Sequence, residues 1–251
     1  MLLLNGRYAP ITFGMAFIEA GLDAVAEGMR DWDRELEQRR LLSRPDARRE
    51  VRGSLDDLLA PFPPFTYSDS KWLLLETAGP WTAYLNNCSQ GTDAPAVAMT
   101  LPRRLKCRSV RIQVIPNTAS DRHPERPGTF GSMLFELNGP EKAPGLNTIR
   151  RVHAINDGPW KWVGTGDPLP FENLEAYTAK RIRDRLTGAM IVDYCAHFGI
   201  FPDDPAFFGR RGVFGERQPY EREGPPVYLS FQEAREKYGL PPQGWPALVE
   251  A

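Results

Sequence analysis

The residue of this sequence that could act as a nucleophile is Cys88, which follows Asn86-Asn87 and precedes the turn Ser89-Gln90-Gly91. A thiol at the end of a strand can be activated by a base from elsewhere in the fold, and His123 and His153 are the available histidines. Nothing in the neighbouring sequence requires such a pair, and cysteine often behaves as a small buried hydrophobe. An enzyme that uses Cys88 with a histidine is therefore the alternative hypothesis, and no residue is assigned as catalytic.

Residues suited to a metal or a cofactor are sparse. Asp193 and His197 could share one face of a helix, but Cys195 points away from His197, and two ligands alone do not make a metal site. Gly164-Thr165-Gly166 lacks the third glycine and the directly following helix of a phosphate-binding loop. There is no Walker A motif and no Gly-x-Ser-x-Gly motif. The sequence therefore predicts neither a metal nor a cofactor.

Large aromatic, amide and guanidinium side chains concentrate on two predicted hairpins, which can form either a core or a recognition surface. The hairpins pair Trp72–Ala78 with Trp81–Asn87, and Ile149–Ile155 with Trp160–Val163. For Trp160 and Trp162 of the second hairpin, burial beneath the long helix is favoured, because tryptophan is highly buried on average. If the face of the second hairpin that carries them is exposed, its aromatic surface and donors suit stacking on a base or gripping a protein partner. The candidate binding residues are Trp81, Tyr84, Asn86, Arg150, Arg151, Trp160 and Trp162, with further contacts from loops Ala119–Gly131 and Phe207–Glu223.

Hydrophobic periodicity predicts the elements that would position these residues. A charged helix is expected over Met15–Leu42 and a second long helix over Phe171–Phe198. A third helix over Ala96–Leu105 should break or kink at Pro102, because proline lacks a backbone N–H. Further elements are strands Ser109–Ile115 and Ser132–Asn138, a turn at Asn138-Gly139, and a short helix that opens with the capping box Ser230-Phe231-Gln232-Glu233.

The order of these elements predicts an α+β fold: a mainly antiparallel sheet covered by helices on one side. A charged N-terminal helix and long loops rich in proline and glycine complete this prediction. Phe201–Pro226 shows no clear period. Residues 1–60 are predicted to form an N-terminal helical segment and residues 61–251 an α+β domain, the two packing as one compact unit.

The charge, the apolar stretches and the cysteines of the sequence indicate its cellular compartment and its kind of partner. The net charge is −1, from 31 basic and 32 acidic residues, which provides no basic field for nucleic acid. The arginine-rich segment Arg39–Arg52 is the exception, but its interleaved Asp46 and Glu50 reduce the local charge. No stretch approaches the roughly 18–20 apolar residues that cross a bilayer, and no secretory signal follows Met1. Three widely spaced cysteines form no disulfide framework, so the sequence predicts a cytoplasmic protein without a membrane partner.

The stretch LLLETAGPWTAYLNN, followed by GTDA, resembles uncharacterised bacterial proteins that carry a strand pair of the form L-E-T-x-G-P-W-T-A-Y. In size, near-neutral charge and aromatic α+β sheet, the chain is also similar to immunity proteins of bacterial polymorphic toxin systems. This resemblance implies a cytoplasmic immunity or antitoxin-like protein that occludes a partner protein. It assigns no residue. The leading hypothesis is therefore protein binding, and the alternative is an enzyme that uses Cys88.

Overall fold

The computed structural model describes residues 2–39, 47–67, 70–120, 123, 125–143, 146–216 and 228–245. Within these residues the chain forms one nine-stranded sheet. The strands are β1 (Gly14–Ile18), β2 (Ala47–Arg52), β3 (Lys71–Thr77), β4 (Thr82–Asn86), β5 (Ser109–Ile115), β6 (Ser132–Ala143), β7 (Leu146–Asn156), β8 (Trp160–Thr165) and β9 (Phe208–Glu216). Their order is β2-β9-β3-β4-β1-β5-β6-β7-β8, and every neighbouring pair is antiparallel.

Five α-helices and several short 3-10 turns surround the sheet in the described part of the chain. The helices are α1 (Leu22–Gln38), α2 (Leu55–Leu59), α3 (Pro95–Leu105), α4 (Gly188–Ala196) and α5 (Phe231–Lys237). The 3-10 turns are Leu3–Gly6, Ile11–Phe13, Ala176–Thr178, Ile182–Asp184 and Pro205–Phe207. None of the described helices is both long enough and apolar enough to span a bilayer.

Helices cover both faces of the sheet, whereas the sequence predicted cover on one side. The larger core lies on the face that packs against α2, α4 and α5. The opposite face packs against α1 and α3 through apolar residues such as Val25 and Leu101. Consecutive residues of β3 feed the two cores alternately, because successive side chains of a strand point to opposite faces. Leu73 belongs to the first core and Leu74 to the second.

The α+β class and the antiparallel sheet are confirmed. The predicted strands over Trp72–Ala78 and Trp81–Asn87 are β3 and β4, and Ser109–Ile115 is β5 with the predicted bounds. The expected turn at Asn138-Gly139 is wrong, because β6 continues to Ala143.

The prediction that residues 1–60 form a helical segment is wrong, because two strands of the sheet lie in this range. Met15–Ile18, the predicted start of the first helix, lies in β1, and α1 begins only at Leu22. β1 pairs with both β4 and β5, so this N-terminal stretch lies in the interior of the sheet. β2 is the second strand in this part of the chain.

The long helix predicted over Phe171–Phe198 is also wrong in its first half. Only Gly188–Ala196 is α-helical, and Thr187 caps its start by accepting a hydrogen bond from the N–H of Met190 at 3.3 Å. Residues 169–185 form turns instead, because Glu172 binds Arg150 of β7 and Arg185 donates to the carbonyl of Ala179.

The predicted break of α3 at Pro102 does not occur. A proline leaves the carbonyl four residues earlier without its helical donor. Here that carbonyl belongs to Ala98, and the hydroxyl of Ser109 donates to it at 2.6 Å. The side chain of a neighbouring strand thus replaces the missing N–H, and the helix continues to Leu105.

The expected loop Phe207–Glu223 is wrong over Phe208–Glu216, which forms β9, and residues 217–223 lie outside the described residues. The sequence pattern did not predict β9, because this strand contains three glycines where side chains would alternate. Gly215 lies directly between Arg48 of β2 and Trp72 of β3. The Trp72 indole covers Gly215, and the Arg48 guanidinium carbon lies 5.0 Å from the ring centroid. A Cβ on Gly215 would lie 2.1 Å from the indole. The strand therefore needs glycine at this position, and the apolar alternation is lost.

We predict that Gly215→Ala destabilises the fold by about 1–3 kcal/mol, because the methyl group must displace a buried indole. Urea unfolding followed by tryptophan fluorescence measures the change. The matched control is Gly164→Ala in β8, where the nearest atom to an added Cβ is 3.9 Å away. Equal stability of the two variants would show that Trp72 moves aside freely.

Candidate functional site

Three of the predicted binding residues, Trp81, Tyr84 and Asn86, lie in the interior and do not form a surface. Each is at most 2 % exposed. The indole N–H of Trp81 donates to the carbonyl of Phe198 at 2.9 Å. The Asn86 amide donates to the Tyr84 hydroxyl at 3.3 Å. These side chains hold the first hairpin against the rest of the molecule.

The paired asparagines that follow the hairpin satisfy the backbone of two loops. The Asn86 side chain accepts from the N–H of Asp93 at 3.0 Å and donates to its carbonyl at 2.8 Å. The Asn87 oxygen accepts from the N–H groups of Ser70 and Lys71, both at 2.9 Å, and its NH₂ donates to a carbonyl at 3.0 Å. Buried backbone groups need such partners. The asparagines of the stretch LLLETAGPWTAYLNN therefore stabilise the fold.

The structure does not bring Cys88 to His153. Cys88 directly follows the asparagines at the end of β4, and its residue is 6 % exposed. His153 lies on β7, and three strands, β1, β5 and β6, stand between β4 and β7. Four steps between strands span roughly 19 Å. The enzyme hypothesis that pairs Cys88 with His153 therefore lacks its geometry. His123 lies in a loop, where its Nδ1 is 3.2 Å from a Glu125 oxygen.

Arg150, the fourth predicted binding residue, is also buried. Its guanidinium donates two hydrogen bonds to the carboxylate of Glu172, at 2.8 and 2.7 Å, and a third to the carbonyl of Gly166 at 2.6 Å. The Tyr177 hydroxyl donates to the same carboxylate at 3.0 Å. Burial raises the pKa of Tyr177, so its hydroxyl stays protonated and able to donate. This network fixes residues 166–177 to β7.

Trp160 and Trp162 are half-buried on the face of the sheet that carries the larger core. The Trp162 ring lies 4.8 Å from the ring of Tyr177, centroid to centroid. The Trp160 ring packs over Gly131, where an added Cβ would lie 2.8 Å away. The favoured burial beneath a helix is therefore realised only in part, with turns in place of the helix.

Arg151 points to the opposite face, and there the sheet is open. α3 reaches this half of the sheet only at one end, where Asn147 donates to the carbonyl of Met99 at 2.8 Å. Beyond α3, this face of β5 to β8 is partly open: Ser132, Leu134 and Glu136 are buried in it, whereas Arg151, Lys161 and Val163 reach solvent. We call this surface the open face. Its residues are Arg111, Gln113, Ser132, Leu134, Glu136, Arg151, His153, Ile155, Lys161 and Val163.

A buried carboxylate organises the open face. Glu136 of β6 lies directly between Arg111 of β5 and Arg151 of β7. Its side chain is 0 % exposed and binds both guanidiniums, with Arg111 at 3.1 Å. Burial by itself would raise the pKa of Glu136, but the two arginines and the Asn138 amide outweigh it and hold the pKa below its usual value. Glu136 is therefore a stable anion that orients two cations.

The neighbouring row of side chains is neutral. Burial, and then the charges of Arg111 and Arg151, lower the pKa of His153 to about 4. Its Nε2 lies 2.8 Å from the Ser132 hydroxyl, which is also 3.1 Å from the Gln113 oxygen. Among the described residues, no carboxylate oxygen makes a hydrogen bond to His153, so the serine–histidine pair lacks the third member of a triad.

A separate cleft near α5 is built around Arg235, whose guanidinium is occupied by backbone carbonyls. The cleft encloses about 510 Å³ and is lined by residues that include Arg126, Gln232 and Leu240. Arg235 is 1 % exposed, and its guanidinium donates to the carbonyls of Gly6, Ala9 and Pro241, each at 2.8 Å. The guanidinium thus ties α5 to the N-terminal segment.

Comparison of the chain with protein-family models, with curated proteins and with solved structures finds no match. Within the described ranges no group of three histidine, cysteine, aspartate or glutamate residues is arranged to hold a metal ion. The chemistry of the open face therefore has to be interpreted from its own residues.

We predict that the free energy of unfolding falls as the pH drops from about 6.5 to 4. In this range His153 is protonated in the unfolded chain but stays neutral in the folded protein, where its pKa is about 4. At pH 5 the wild type should lose about 1 kcal/mol more than His153→Gln, allowing for partial solvent screening. Urea unfolding at pH 7.5 and pH 5 measures this difference. His123→Gln, which removes an exposed histidine, should keep the wild-type slope. An identical slope for His153→Gln would contradict the prediction.

We also predict that Asn87→Ala costs about 2–4 kcal/mol, because it leaves the N–H groups of Ser70 and Lys71 buried without an acceptor. Thermal and urea unfolding provide the measurement. Gln90→Ala is the matched control, since Gln90 lies in the same loop and is exposed. A loss no larger than that of the control would show that water replaces the amide.

Proposed function

We propose that this chain is a cytoplasmic protein-binding protein of the immunity or antitoxin type, which occludes a partner protein with its open face. The observation that carries the proposal is the pair of guanidiniums that Glu136 orients, of which Arg151 is 35 % exposed and Arg111 is 11 % exposed. Arginine is enriched in protein interfaces. A side chain that is already oriented loses less conformational entropy on binding, so this arrangement favours recognition.

The open face also presents an exposed apolar side chain and a further cation. Val163 is 39 % exposed and lies beside the neutral His153. Lys161 is exposed and binds Asp157 at 2.5 Å. The open face has three cations, Arg111, Arg151 and Lys161. The carboxylates of Glu136 and Asp157 balance two of them, which leaves an excess of one positive charge. An acidic partner surface would complement this charge and speed association.

Binding is preferred to catalysis because the groups that could react are separated or incomplete. Cys88 lies four strand steps from His153, and no carboxylate among the described residues hydrogen-bonds to the histidine of the Ser132–His153 pair. The proposal therefore keeps a protein partner from the sequence hypothesis but replaces its anchors. Arg151 remains, Trp81, Tyr84, Asn86 and Arg150 are withdrawn, and Trp160 and Trp162 border the surface.

We predict that affinity capture from the native cytoplasm retains one stoichiometric polypeptide, which the double variant Arg151→Ala, Lys161→Glu loses. Removing two cations of the open face should weaken binding by about tenfold or more. Glu136 keeps Arg111 as its partner in this variant. Quantitative mass spectrometry of the eluates measures retention, and circular dichroism verifies the fold.

Arg34→Glu on α1 is the matched control, because Arg34 is exposed and lies in a helix that packs on another part of the sheet. The control should retain the polypeptide as the wild type does. Capture of no stoichiometric polypeptide would overturn the proposed function. Equal retention by the double variant would overturn the choice of the open face.

A further inference from the structure

The two edges of the sheet differ in their protection. An edge strand presents unpaired N–H and C=O groups, and natural proteins guard such edges with charge. β2, at one edge, carries three arginines and one glutamate in six residues. β8, at the other edge, carries a single charge, Lys161. Residues 163–165 of β8 are all exposed. β8 is therefore the less protected edge.

The register shows which groups of β8 face outward. The N–H of Asn156, at the end of β7, donates to the carbonyl of Gly131 at 2.8 Å, so it points toward β6 and away from β8. Asn156 is opposite Trp160, which makes this a pair without mutual hydrogen bonds. By alternation, Lys161, Val163 and Thr165 bond to β7. The backbone groups of Trp160, Trp162 and Gly164 point to the free edge.

Nothing in the described part of the chain occupies these outward groups. No hydrogen bond to the backbone of Trp160, Trp162 or Gly164 from outside the β7–β8 ladder is found there. An added Cβ on Gly164 would meet nothing closer than 3.9 Å, so a side chain is tolerated at this position. The half-buried rings of Trp160 and Trp162 border the same edge.

Charge beside the edge indicates what kind of strand would fit. The turn Ile182–Asp184 packs against β7 and β8 on the tryptophan face. Residues 180–185 contain four cations and one carboxylate, Asp184. Arg181 and Arg183 are more than half exposed. Lys161 stands on the other face. Cations thus flank the edge on both sides.

We infer that the outer edge of β8 accepts an extended, acidic segment of the partner protein as a tenth strand of the sheet. This inference rests on the proposed function and specifies how the partner is held. Backbone hydrogen bonds to Trp160, Trp162 and Gly164 supply affinity, and carboxylates opposite the flanking cations select the segment. A second copy of this chain is a poor occupant, because pairing β8 with itself brings like charges together.

The test uses a labelled peptide of about ten residues that alternates glutamate and valine, with a lysine–valine peptide as its charge control. Gly164→Pro removes one outward N–H, and it spares the bonds to β7. Gly164→Ala alters the same residue but keeps that N–H. Fluorescence anisotropy should show that Gly164→Ala binds the acidic peptide at least about tenfold more tightly than Gly164→Pro. The lysine peptide should bind at least about tenfold more weakly than the acidic one.

Amide hydrogen exchange supplies a second readout that is independent of substitution. In the free protein the amides of Trp162 and Gly164 should exchange rapidly, and those of Lys161, Val163 and Thr165 slowly. Bound acidic peptide should protect Trp162 and Gly164 selectively. Equal affinity for Gly164→Pro and Gly164→Ala, or unchanged exchange of these two amides, would overturn strand addition.

The same pair of variants separates this inference from the proposed function. A captured partner that binds Gly164→Pro and Gly164→Ala alike, yet is lost by the open-face variant, would leave protein binding in place and reject strand addition. Sedimentation of the wild type identifies self-pairing. A dimer that Gly164→Pro abolishes would assign the edge to a second copy and overturn the inference.

Discussion

The burial of Glu136 between Arg111 and Arg151 is the interaction on which the open half of the sheet depends. A carboxylate without contact to solvent is costly unless cations and hydrogen bonds compensate it. Compensation here comes from both neighbouring strands, so the charge ties β5, β6 and β7 together across the sheet. Burial, and then the charges of the two arginines, lower the pKa of His153 and keep it neutral. A surface that is polar and partly exposed is thereby kept rigid, which is unusual for long cationic side chains.

The sheet serves two purposes, and its strands differ accordingly. In β3 and β4 nearly every residue is buried, because helices cover both faces there. In β8 only Trp160 and Trp162 are half-buried, and the other four residues are exposed. The boundary falls where α3 ends its contact with the sheet. Amides of Asn86 and Asn87 secure the loops of the covered half, so the stretch LLLETAGPWTAYLNN stabilises the fold, and the proposed recognition uses the open half.

Strands with a clear apolar pattern could be predicted from the sequence, and elements set by distant partners could not. β5 alternates and was found with its bounds, whereas β9 needs glycine beneath Trp72 and lost its pattern. The first half of the second predicted helix has apolar residues at helical spacing but forms turns. Glu172 in this half binds Arg150, which lies 22 residues away in sequence, and the local pattern does not show such a contact. For the site, alternation along β7 placed Arg150 and Arg151 on opposite faces. It could not tell which face would be covered, since that depends on how far α3 extends.

The open face and the edge of β8 are parts of one surface. Lys161 and Val163 contribute side chains to the open face, while Trp160, Trp162 and Gly164 turn their backbone groups outward from the same strand. A strand added at this edge would extend the sheet, and its side chains on one side would continue the rows that run through Glu136 and His153. Backbone pairing is indifferent to sequence, so selectivity has to come from these rows and from the flanking cations. The charges of Lys161 on β8 and Arg151 on β7 would then discriminate among segments that the edge alone would accept.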